Sequence, residues 1–174
     1  MRGKTLKVAV AATAIAMLAT ACGGSSDDSS SSAGGELRVY ASEPAFLTPS
    51  GGHDELSIYV IRQLYRGLVK YDTKTGEPVN DLAESIESTD QKNWTIKLKP
   101  DYVFDNGEPV NADSFIRSWN YAAYGPNAQN NGYFMKRIAG IKDVTSEDPK
   151  AEPKAKELSG LKKVDDLTFT VELT

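Results

Sequence analysis

Residues 23–35 are almost wholly Gly, Ser and Asp, and that stretch limits the fold more than any other feature of the chain. Such a composition has no apolar surface to bury and behaves as a flexible tether. A packed core must therefore come from the roughly 140 residues between Glu36 and Thr174, enough for one ordinary domain. Cys22 is the only cysteine, so no internal disulfide can form and the core alone must supply stability.

Ahead of the tether, Arg2, Lys4 and Lys7 precede an uncharged run from Val8 to Ala21. A membrane-spanning helix needs about 20 predominantly apolar residues, so this run reads as the apolar region of an export signal instead. It ends in Leu18-Ala19-Thr20-Ala21-Cys22, small residues before a cysteine, which resembles the lipobox cut by the lipoprotein signal peptidase. Residues 1–21 are expected to be removed, leaving Cys22 as a lipid-bearing first residue. Residues 22–35 then tie an exported protein to the outer face of the cytoplasmic membrane. The alternative, an ordinary buried thiol at Cys22, leaves the tether without a purpose.

Without Arg2, Lys4 and Lys7 the 20 basic side chains fall to 17 against 24 acidic ones, a net charge of −7. That balance opposes nucleic-acid binding, where neutralised phosphates supply most of the affinity. His53 is the only histidine, so neither a zinc cluster nor a Cys/His or Ser/His/Asp nucleophile can be assembled. The carboxylates fall mostly in turns, caps and a charged connection, where solvation explains them. Gly51-Gly52 lacks the spacing of a phosphate-binding loop. No enzyme, metal or cofactor is expected, and no internal repeat is visible.

Glu36 to Ala41 alternates apolar and polar residues, the period of a half-buried strand. From Asp54 the period changes, with Leu56, Val60, Leu64 and Leu68 every fourth residue beside Ile61 and Tyr65, which predicts an amphipathic helix. Of His53 and Asp54, Asp54 suits the cap better because its carboxylate accepts from first-turn amides. Gly67 is expected to end the helix or its packing contact, and Leu68 to Tyr71 to run extended into a turn over 72–78. Leu82-Ala83-Glu84 suggests a short helical turn. Trp94, Ile96 and Leu98 alternate with Thr95, Lys97 and Lys99 as the clearest strand, with Ile86 to Ser88 pairing beside it. Phe104-Asp105-Asn106-Gly107 predicts a tight turn and Asn111 a cap for a helix carrying Phe115, Trp119 and Ala122, stopped by Gly125-Pro126. Trp94, Phe104, Phe115 and Trp119 are assigned to the core. Residues 127–132 read as a polar loop and 143–156 as a charged connection. Leu161 to Leu173 reads as two short strands about Asp165-Asp166, with Leu167, Phe169, Val171 and Leu173 on one face.

The order of several segments carries a resemblance. These are Leu37-Arg38-Val39, Leu64-Tyr65-Arg66-Gly67-Leu68-Val69, Asp81-Leu82-Ala83-Glu84-Ser85, Trp94-Thr95-Ile96-Lys97-Leu98-Lys99-Pro100, Phe104 through Asp113, Ile138-Ala139-Gly140-Ile141 and Val164 through Phe169. In this order and spacing the chain resembles family 5 of the bacterial extracellular solute-binding proteins. The resemblance implies an α/β, periplasmic-binding-protein-like fold of the type II, bilobal kind. Residues 36–68 correspond to the start of lobe I and 69–174 to most of an inserted α/β subdomain, with no counterpart of the second lobe. It implies a monomeric peptide-binding component of an ATP-binding cassette importer that hands its ligand to permease subunits. Nickel chelates, sugars or haem as ligands, or an envelope lipoprotein with none, stay open.

In peptide-binding relatives the stretch before the first helix lies along the ligand backbone as an added strand. By position the resemblance implies ligand contacts from Ser42, Glu43, His53, Asp54 and Glu55, with Asn131 and Tyr133 near a second ligand-facing segment. A single lobe encloses only half of such a site, so the 174-residue chain alone is expected to bind peptide weakly. Mass spectrometry of the exported protein is expected to find Cys22 as the first residue, carrying acyl chains; an unmodified Cys22 or cleavage elsewhere contradicts the assignment.

Overall fold

The computed structural model describes residues 38–146, 148 and 151–174. The expected export signal, Cys22, the tether and the first two residues of the predicted Glu36–Ala41 strand lie outside the described residues. Residues 40–174 form one compact unit.

The strongest period-two segment builds the centre of a four-stranded antiparallel sheet. In β4 (Asn93–Leu98) Ile96 and Leu98 are buried while Thr95 and Lys97 are exposed. It pairs on one side with β3 (Ala83–Glu87) and on the other with β6 (Thr168–Glu172), which in turn pairs with β5 (Leu161–Lys163). The β3–β4 connection is held by Asp90, whose carboxylate accepts from the amides of Lys92 and Asn93 and from the Asn93 side chain at 2.7–2.9 Å. Those donors hold its pKa well below the usual carboxylate range, the Asn93 side chain contributing most.

Between β4 and β5 the chain turns at Gly107, whose positive φ of 84° suits glycine. It then enters α2 (Ala112–Ala123) through a capping box in which Asn111 and Ser114 exchange hydrogen bonds at 3.1 Å. Phe115 and Trp119, one turn apart, meet Phe169 of β6: the Phe115 ring stacks at 5.7 Å and the Trp119 ring meets it edge-on at 5.8 Å. Phe169 is fully buried, and Ile96, Leu98, Val144, Leu158 and Val171 complete the core around it. The helix stops at Ala123 before Gly125-Pro126, as its sequence predicts. Residues 125–127 and 130–137 then coil into 3-10 turns, and α3 (Ile141–Val144) returns the chain towards β5.

At the other end, α1 (Glu55–Leu64) leads into a two-stranded ribbon of β1 (Val69–Tyr71) and β2 (Pro78–Asn80). Arg66 donates to the buried Asp81 through both Nε, at 3.1 Å, and Nη2, and its guanidinium lies 4.8 Å from the Tyr102 ring centroid. That fork ties the chain leaving α1 to the start of the sheet.

Four local expectations differ from the structure. Leu82-Ala83-Glu84 forms the entry to β3, not a helical turn: Ala83 pairs with Leu98 and the Leu82 carbonyl accepts from Lys99 N at 2.9 Å, so cross-strand bonds override helix propensity. The first helix ends at Leu64 rather than Gly67, because the Gly67 and Leu68 carbonyls accept from Leu82, Asp81 and Ala83. Residues 38–41 form no strand; alternation supplies a face, but a strand also needs a neighbour to bond. Phe104 is 44% exposed, carried outward by the tight turn that its own carbonyl closes with Gly107 N.

Replacing the buried Phe169 by Ala removes the ring on which Phe115 and Trp119 close. Urea unfolding followed by tryptophan fluorescence is expected to show a loss of about 3–5 kcal/mol.

Candidate ligand-binding site

The residues singled out from sequence sit on two segments far apart in the chain, the stretch leading into α1 and the loop after α2. Ser42 and Glu43 are exposed, and among the described residues the main chain of Ser42–Ala45 has no hydrogen-bond partner. Phe46 N donates to the buried Ser57 hydroxyl at 2.9 Å, which docks this stretch on α1. Gly51 and Gly52 follow, both buried. A Cβ on Gly52 would lie 2.2 Å from Ile61 Cδ1 and 3.2 Å from Ser57 Cβ, so a larger residue makes the Ile61 methyl swing aside and crowds Ser57.

His53 is exposed, its Nδ1 3.4 Å from Gly51 O and its ring 5.9 Å from that of Phe46. Asp54 is the N-cap, as predicted: its Oδ1 accepts from Ser57 N at 2.9 Å. The Ser57 hydroxyl and then its amide hold the Asp54 pKa below its ordinary value. Asp54 Oδ2 is also buried, so the carboxylate faces the helix start. Glu55 is exposed and accepts from the Tyr59 hydroxyl at 2.7 Å. A partly buried carboxylate beside an exposed carboxylate and imidazole presents polar and anionic groups at one end of a helix.

Asn131 meets the same turn from the other side. Its Nδ2 donates to Pro49 O at 2.7 Å and to Gly52 O at 2.6 Å, and its backbone N–H to Ser50 O at 3.0 Å. Asn130 Nδ2 donates to Gly51 O at 2.8 Å, and Ser50 Oγ donates to Gln129 Oε1 at 2.8 Å. Asn131 is thus brought next to His53, whereas Tyr133 is half-exposed and packs its ring 4.1 Å from that of Phe134. Ser50 and Gln129 are not singled out as site residues by the sequence, and Asn130 only as part of the polar 127–132 loop beside Asn131. Their only signal is an Asn/Gln-rich loop, and their partners lie about 79 residues away.

Residues 77–174 match the family model described as bacterial extracellular solute-binding proteins, family 5 Middle. The chain belongs to that family. It is 32% identical over 133 residues to the oligopeptide-binding protein OppA of Bacillus subtilis, covering 76% of this chain and 23% of that protein. Among solved structures, the Haemophilus influenzae OppA complex with RPPGFSPFR superposes with a TM-score of 0.67 at 31% identity, over 77% of this chain and 26% of that one. The Escherichia coli murein tripeptide binding protein MppA gives a TM-score of 0.67 at 30% identity, over 77% and 26%. The chain therefore has the mixed α/β architecture of part of a periplasmic peptide-binding protein, and spans about a quarter of the length of these relatives.

The close fit of Gly52 gives a direct check on the turn. Gly52→Ala forces Ile61 out of place and is expected to cost about 1–3 kcal/mol in urea unfolding. Loosening should be confined to the turn and α1, with β4 and β6 amides keeping their protection from hydrogen exchange.

Proposed function

We propose that this chain is the ligand-facing beginning of the solute-binding component of an ATP-binding cassette importer, and that its ligand is a peptide. The observation that carries the reading is membership of the solute-binding family together with about 30% identity to proteins named for oligopeptides and murein peptides. The site supports it chemically. Ser42–Ala45 offers main-chain groups that are unpaired among the described residues, a few residues ahead of a turn that is bonded on both sides. An extended peptide recognised through its backbone needs such a segment, because main-chain bonding tolerates many ligand side chains.

In this reading Ser42 and Glu43 flank the ligand backbone, and His53 and Glu55 at the head of α1 face its polar groups. Tyr133 supplies an aromatic surface nearby. Residues 36–68 act as the start of a lobe and 69–174 as an inserted subdomain. The protein acts by binding and release, without catalysis. Export, anchoring through lipid on Cys22 and delivery to permease subunits complete the role.

Calorimetry with a mixed peptide library tests it. The product of the complete gene is expected to bind with micromolar or tighter affinity, and residues 36–174 alone far more weakly, since a site between domains buries most of its ligand. Absence of binding by the complete product, or tight binding of a non-peptide solute, overturns the assignment.

A further inference from the structure

The contacts of Asn131 have a chemistry that its place near the site does not by itself suggest. An amide side chain has two N–H donors and the backbone one more. All three are engaged here, on Pro49 O, Gly52 O and Ser50 O. Both side-chain acceptors are carbonyl oxygens, which cannot donate, so the NH₂ end of the amide must face them. Asn130 takes the remaining carbonyl of the row, Gly51 O. Four consecutive carbonyls immediately before His53 are thereby met by two consecutive asparagines.

The other end of this clasp is equally fixed. A Cβ on Gly132 would lie 2.5 Å from Ala122 O, so the residue after Asn131 is pressed against the end of α2. A continuous path results: α2, Gly132, Asn131, the 49–52 turn, Gly52 against Ile61, and α1.

We propose that Asn131 is a positioning residue for the ligand site, not a ligand contact. It holds the turn before His53 at a set height on the sheet unit, and with it the register in which Ser42–Ala45 meets a ligand backbone. This rests on the peptide-binding reading above and says how the site is kept in shape.

The Asn131→Asp variant, made in the product of the complete gene, keeps the side-chain shape and replaces two donors by a carboxylate facing carbonyl oxygens. Hydrogen exchange at Gly51 and Gly52 is expected to quicken about tenfold or more, while β4 and β6 amides are unchanged. Acidification should reverse it, because a protonated carboxyl regains one donor; among acceptors its neutral form is favoured, so protection holds at low pH and is lost as pH rises through the raised pKa. Asn131→Ala should loosen the turn with no such reversal. Calorimetry with tri-alanine and tri-lysine should show both peptides weakened by a common factor of about ten.

Unchanged exchange with lost affinity, or weakening of one peptide only, makes Asn131 a direct contact and overturns the proposal. Undiminished binding of both peptides by Asn131→Asp also overturns it. If the unsubstituted protein binds neither these peptides nor the mixed library, it is the peptide reading that fails, and the exchange measurements still decide whether Asn131 sets the turn.

Discussion

Everything in the sheet unit is arranged about the burial of Phe169. Its strand, β6, is paired on both sides, so its backbone needs no water and its side chain can lie in a fully dry interior. The Phe115 and Trp119 rings close over it from α2, and that helix is set in place by the Asn111–Ser114 capping box. Without this docking the far end of α2 has no fixed position. The loop that follows it, carrying Asn130 and Asn131, then has nothing to be anchored to.

The proposed ligand site depends on that rigidity by a short route. The core holds α2, α2 holds Gly132, and the two asparagines after Gln129 hold the turn ahead of α1. A surface that recognises a ligand by its backbone must keep its own backbone groups at set spacings, since a hydrogen bond weakens steeply with misalignment. Buried glycines and amide side chains suit that task, because they allow close approach and make short bonds without adding charge. The acidic groups nearby play another part: Asp54 caps α1, and Glu55 stays in water with Tyr59.

The Arg66–Asp81 fork secures the opposite end of α1. Asp81 is buried and Arg66 lies against Tyr102, so the charge pair is directional and partly shielded from water. Helix α1 is thus held at its start by the asparagine clasp and just beyond its end by an ion pair. Leu64 and Tyr65 between them remain largely exposed.

Much of this was legible in the sequence, for a physical reason: burial on one face leaves a period in the chain. Trp94-Ile96-Leu98, Phe169-Val171, the Phe115–Trp119 stripe and the Asp54 and Asn111 caps are local patterns whose causes lie within a turn or a strand, and the order of such blocks is what marks the family. Residues 38–41 of the expected Glu36–Ala41 strand, and the expected Leu82–Glu84 turn, differ from the structure because alternation and propensity say nothing about whether a neighbour is there to bond. For the clasp, Asn131 was placed near the site by resemblance, but its work was invisible: its donors meet carbonyls about 80 residues earlier in the chain, and any residue offers a carbonyl. Backbone acceptors leave no trace in side-chain identity, so only the tertiary structure decides which ones a given asparagine will meet.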